Sequence, residues 1–183
     1  HVNLLVGPTG SGKTTIAESV RYVLTGLART CRFKNQTRDL KHQGSRAMKV
    51  AKEAVEGGID FLEAGTPLIK SEGLDAVRAL RGEFPSITIV ADMKIIDAGR
   101  LETECAAKAG ANIIHVLGGA SDATIKECIE AARRYDARIT VDLLGLQSRE
   151  RMIQRAKEVE LMGAASVCVH TPIDMQMRGE QER

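Results

Sequence analysis

Two stretches combine residue types and spacings that could do chemistry. The first is Asp92-Met-Lys-Ile-Ile-Asp97, directly after the β-branched run Ile87-Thr-Ile-Val90. Such a run reads as a strand buried on both faces, ending in a cluster of charge. Side chains alternate along a strand, so Asp92 and Lys94 are expected on one side, with Asp97 where the chain leaves the strand. Two carboxylates and an ammonium would converge at one mouth. Alone, an Asp-x-Lys pair reads first as a salt-bridged strand end. The second stretch is Gly7-Pro-Thr-Gly-Ser-Gly-Lys-Thr14, preceded by the apolar Val2-Asn-Leu-Leu-Val6 and followed by a helical pattern from Thr15 to Leu24. Strand, loop and helix in that order fit a phosphate-binding loop. Gly7, Gly10 and Gly12 would let backbone N–H groups close around a phosphate, Lys13 would reach the outer phosphates, and Thr14 would hold magnesium. ATP is the ligand that this loop suggests.

The elements that must carry the first group recur. Ile59-Asp-Phe-Leu-Glu63, Ile87 to Asp92, Asn112-Ile-Ile-His-Val-Leu117, Arg138-Ile-Thr-Val-Asp142 and Ser166-Val-Cys-Val-His170 are five short strand patterns, roughly 25 to 28 residues apart. Helical patterns lie between them, over about 74–81, 101–108, 123–134 and 149–161, with another over 47–56. This is the spacing of repeated βα units. Ser71, Ser121 and Ser148 are expected as N-caps, and Gly110 and Gly163 as helix stops. An all-parallel repeat is either a doubly wound sheet or a (β/α)₈ barrel. No Gly-x-Gly-x-x-Gly follows any of the five strands, which weakens the dinucleotide-binding option. Glu63, Asp92 with Lys94, Asp142 and His170 all fall at C-terminal strand ends, the rim where a barrel gathers catalytic groups. Singly, His170 reads as a core histidine and Asp142 as a structural acid; together the set reads as a site.

The chain has 183 residues, 43% hydrophobic and 27% charged, enough to bury a core. A net charge of +2 is too small to imply a nucleic-acid or membrane partner, although residues 21–50 form a basic island, read as a solvated loop. Cys31, Cys105, Cys128 and Cys168 are widely spaced with no Cys-x-x-Cys, so neither a zinc site nor a disulfide framework is indicated and a reducing cytoplasm fits. No apolar run approaches the roughly 20 residues that cross a bilayer. The division expected is a phosphate-loop segment over 1–44 and a partial barrel over 45–183.

Residues 4–44 resemble the opening of the ATPase heads of the Rad50/SMC family, through the phosphate loop, the helix from Ile16 to Gly26 and Asn35-Gln-Thr-Arg-Asp-Leu-Lys-His-Gln-Gly44. That resemblance implies an ATP-binding module, without the downstream acid and signature segment that hydrolysis needs. Residues 47–174 resemble the hexulose-6-phosphate synthases of the orotidine-monophosphate-decarboxylase suprafamily. The carriers are Ala51 to Gly73, Ala91-Asp-Met-Lys-Ile-Ile-Asp-Ala-Gly99 and Val167-Cys-Val-His-Thr-Pro-Ile-Asp174, with Asp92-x-Lys94-x-x-Asp97 as the suprafamily hallmark. This second resemblance implies a TIM-type barrel, here its second to sixth strands, and a magnesium-dependent aldol condensation of formaldehyde with ribulose 5-phosphate. It puts Glu63 and Asp92 on the metal, Lys94 against the developing enediolate charge, His170 as proton shuttle and Asp97 in a partner subunit's site, hence a homodimer. Three features depart from the family. The acid expected to fix the lysine has only Asp39 as a candidate, Pro172 stands where a glycine is expected, and the strands that carry the phosphate anchor are not in the sequence. A sister keto-gulonate-phosphate decarboxylase shares Glu63, Asp92, Lys94 and Asp97, but Thr171-Pro-Ile-Asp after the histidine favours the synthase. The remaining alternatives are an ATP-binding module with the barrel piece as scaffold, and a fragment without activity.

Overall fold

The structure, a computed structural model, describes residues 43–146, 148–169 and 172–178. Gly7, Gly10, Gly12, Lys13 and Thr14 of the phosphate loop, together with Asp39 and His170, lie outside the described residues. The elements in order are α1 (Gln43–Glu56), β1 (Phe61–Ala64), α2 (Thr66–Glu72), α3 (Asp75–Glu83), β2 (Thr88–Ile95), α4 (Gly99–Lys108), β3 (Ile113–Leu117), α5 (Asp122–Arg133), β4 (Arg138–Asp142), α6 (Arg149–Met162), β5 (Ser166–Cys168) and α7 (Ile173–Arg178). The strands form one sheet in the order β1-β2-β3-β4-β5. Parallel neighbours joined by helical crossovers are what repeated βα units dictate.

The described residues fall into two compact units, one holding residues through Met93 with Cys105–Ile114, the other Lys94–Glu104 with the residues from His115 on. In the first unit, β1 pairs with β2 in the register Leu62↔Ile89 and Glu63↔Val90. Leu62, Val77 and Ile89 are wholly buried, and each such side chain is worth about 1.5–3 kcal/mol of burial. Arg81 of α3 ties down the segment leading into β2. Its guanidinium donates to the carbonyls of Pro85 at 2.9 Å, Ile87 at 3.0 Å and Gly110 at 3.0 Å, and to Asn112 Oδ1. These bonds satisfy carbonyls that a turn would otherwise leave bare.

In the second unit, β4 pairs with β5 in the register Thr140↔Ser166, Val141↔Val167 and Asp142↔Cys168. Four of the five β4 residues are buried, as a strand covered on both faces requires. Ser121 and Ser148 cap α5 and α6, accepting from Thr124 N–H and Arg151 N–H. Gly163 closes α6 at φ 102°, a conformation open to glycine at little cost. Ser71 is not a cap: it lies within α2, and α3 starts from Leu74 with no side-chain cap bond. The sequence pattern passed over α2 because seven residues are too few to show a helical period. Among the described residues no helix is long and apolar enough to cross a membrane.

Candidate active site

In the first unit the relevant groups are Glu63 and Asp92. Glu63 is half-buried near the end of β1, while Asp92 on β2 is 8% exposed. A carboxylate oxygen of each lies within 4.8 Å of the other, close enough to share a cation. The Asp92 side chain is oriented by Thr66, the first residue of α2. The Thr66 hydroxyl lies 2.7 Å from Asp92 Oδ2 and 2.8 Å from the Asp92 carbonyl. A hydroxyl has one proton, so it donates to one of these at a time. Pro67 behind it suits the first turn of a helix, where the missing N–H costs nothing. The donor set fits magnesium, which prefers hard carboxylate oxygens and keeps waters for its remaining positions.

In the second unit Lys94 Nζ donates to Asp142 Oδ2 at 2.7 Å. The Lys94 side chain keeps 25% of its exposure and that of Asp142 none. The other Asp142 oxygen, Oδ1, accepts from Leu144 N–H at 2.9 Å. Asp142 ends β4 and is an acid that holds the lysine. Lys94 has an unusual backbone for a strand residue, with φ +48°. Left-handed backbone at a non-glycine residue costs about 1–3 kcal/mol and persists where the surroundings impose it.

A second left-handed residue, Ala98 at φ +51°, follows Asp97. Asp97 is exposed, and its Oδ1 accepts from Ala98 N–H at 2.7 Å. Around it is a shallow depression of about 420 Å³ lined by Asp97, Gly99, Leu101, Glu104, Thr124 and Glu127. Nearby, burial pushes the Glu102 carboxyl above its ordinary value, and the charge of Asp97 adds to the effect. The sequence reading gave no role to Thr66 or to His115, a buried histidine on β3. A polar residue inside the apolar run Ile113-Ile-His-Val-Leu117 was the available signal for His115. For Thr66 there was none beyond its place before a proline.

The family model described as orotidine 5'-phosphate decarboxylase / HUMPS family matches residues 36–181. The chain belongs to that family. A curated family relative, the 3-hexulose-6-phosphate synthase of Bacillus subtilis, is 43% identical over 134 residues, covering 73% of this chain and 62% of that protein. The crystal structure of a 3-hexulose-6-phosphate synthase from Salmonella typhimurium matches with a TM-score of 0.70 at 32% identity, over 75% of this chain and 64% of that one. The 3-keto-L-gulonate-6-phosphate decarboxylase of Vibrio cholerae matches with a TM-score of 0.67 at 31% identity, over 76% and 63%. The chain spans about 60% of the length of the curated relatives it matches. These matches support a parallel α/β fold like that of barrel proteins.

Proposed function

We propose that the chain is an aldehyde-lyase of the hexulose-6-phosphate synthase type, joining formaldehyde to ribulose 5-phosphate and releasing it in reverse. Support comes from the family, from the synthase relatives at about 40% identity, and from the Lys94–Asp142 ion pair. That ion pair is the observation that carries the reading. A carbon beside a carbonyl gives up its proton only if the negative charge that develops on oxygen is met by a fixed cation. Lys94, held at 2.7 Å by a fully buried carboxylate, is such a cation with its side chain still in part open to solvent.

Glu63 and Asp92 are the residues that would hold magnesium. When bound, the ion supplies Lewis-acid stabilisation of charge on the substrate oxygens. Thr66 keeps the Asp92 carboxylate in one orientation, as the supporting shell of a metal ligand does. His170 is assigned the proton transfers, for which an imidazole titrating near neutrality is suited. Asp97 is assigned to the site of a second copy. It is exposed and flanked by Ile96 at 54% and Leu101 at 65% exposure, apolar neighbours of the kind an interface covers.

The test is magnesium-dependent consumption of formaldehyde that requires ribulose 5-phosphate and disappears in Lys94→Ala. Consumption without the sugar phosphate, or unchanged in Lys94→Ala, would refute the proposal. Loss of carbon dioxide from a keto-gulonate phosphate, with no formaldehyde consumed, would replace it by the decarboxylase reading, for which the Vibrio cholerae structure is the support.

A further inference from the structure

Gly118 opens the loop after β3, and both of its backbone groups are committed. Its N–H donates to the Asp142 carbonyl at 2.6 Å. Its carbonyl accepts from Arg155 Nε at 2.8 Å. Arg155, on α6 and only 4% exposed, also donates from Nη2 to the Ala120 carbonyl at 2.9 Å, and from Nη1 to Asp122 Oδ1 at 2.6 Å and Glu158 Oε2 at 3.0 Å. Burial works against its charge, but the bonds to Asp122 and Glu158 outweigh it and hold the guanidinium protonated. A buried cation is expensive unless its donors are met. Here it spans the Gly118 and Ala120 carbonyls of one loop while still reaching two carboxylates, a use of donors that suits the rigid planar fork of arginine.

We propose that Arg155 is a positioning residue: through the Gly118 peptide it fixes the end of β4, and with it the Asp142 carboxylate that holds the Lys94 ammonium. The contacts run without a gap. Arg155 grips the Gly118 carbonyl, the Gly118 N–H grips the Asp142 carbonyl, and Asp142 Oδ2 grips Lys94. The loop also lies tight against β4. A Cβ added at Gly118 would sit 3.1 Å from Leu143 Cδ2 and 3.2 Å from the Asp142 carbonyl oxygen. A shift of the loop is therefore passed to Asp142 rather than absorbed. A helix staple would need bonds to neighbouring helices only, whereas Arg155 spends two of its bonds on the loop that abuts β4. The consequence for catalysis rests on the reading of Lys94 given above; the link from Arg155 to the ion pair does not.

The experiment follows the Lys94 ammonium directly in the whole chain, by its ¹H–¹⁵N signal, assigned through its loss in Lys94→Arg. Asp142→Asn sets the response when the ion pair is gone. Arg155→Met is expected to speed exchange of the Lys94 ammonium protons toward the Asp142→Asn value, and Arg155→Lys to do so in part. Gly118→Ala disturbs the same link from the other side while leaving Arg155 paired, and is expected to act likewise, so the proposal stays testable if Arg155→Met does not fold. An unchanged Lys94 signal in folded Arg155→Met, or in Gly118→Ala, overturns it. Where formaldehyde turnover is measured, kcat should fall about threefold to thirtyfold in Arg155→Met with KM within about twofold. A rise in KM alone counts against the proposal. If Lys94 responds to Arg155 in a parent protein with no turnover, the positioning stands and the synthase reading falls.

Discussion

Removing either end of the Lys94–Asp142 pair should destabilise the protein unequally, and the inequality follows from burial. Lys94→Met leaves the Asp142 carboxylate fully buried without the Lys94 ammonium. Breaking a buried pair in this way costs about 3–5 kcal/mol. Asp142→Asn instead leaves an ammonium whose side chain is 25% exposed and can turn to water. The new amide oxygen can still accept from Leu144 N–H, so the cost is about 1–3 kcal/mol, that of a lost hydrogen bond to a charged group. The double variant Lys94→Met/Asp142→Asn should be less damaged than the sum of the two singles by about 1–3 kcal/mol, the coupling expected of residues in contact. For a chain of this length each kcal/mol moves the melting temperature by about 2–4 °C, so Lys94→Met should melt about 6–20 °C below the parent. Urea unfolding at pH 7, with midpoints compared at constant slope, measures all three. If Lys94→Met proves no worse than Asp142→Asn, or the two effects simply add, the ion pair does not hold Asp142 as argued.

Thr66→Val keeps the side-chain shape but deletes the hydroxyl that orients Asp92; magnesium binding, followed by calorimetry, should weaken about tenfold to a hundredfold. Gly99→Ala would push a methyl group against the Thr124 carbonyl and Cys128 Sγ, and should cost about 1–3 kcal/mol in urea unfolding. No loss there would mean that α4 can shift away from α5. Glu102 gives a pH test: its raised carboxyl value means the folded state holds the proton more tightly than the unfolded chain. Its contribution is therefore fully favourable below the ordinary value of 4.5 and fades as pH rises through the folded value. Glu102→Gln should be more stable than the parent at pH 7 and indistinguishable from it in acid. The opposite order would show that Glu102 gains more from its neighbours than burial costs.

The sequence carried the alternation of strands and helices, because buried parallel strands and amphipathic helices write their periods directly into residue order. Arg138–Asp142 and the start of α6 at Arg149 agree with the pattern to the residue. Ser121 and Ser148 were legible as caps, since a cap bond is local and needs only a serine followed by a helix. Ser71 was misread for the same reason: the rule cannot see that a short helix already contains it. Glu63, Asp92 and Lys94 were singled out in the sequence by residue type and position at strand ends. The backbone of Lys94 was not legible: its φ of +48° leaves the extended conformation that a strand pattern assumes.

That Asp142 pairs with the lysine was decided only by the tertiary structure. Asp142 lies 48 residues from Lys94, and no local pattern sets a fully buried aspartate apart from a structural one. The same is true of Thr66, 26 residues from the carboxylate it orients, and of Arg155, whose bonds to Gly118 and Ala120 reach back 37 and 35 residues. Periodicity and capping are short-range physics and can be read along the chain. Pairing of charges across a sheet depends on which strand ends meet in space, and that is fixed only when the strands pack.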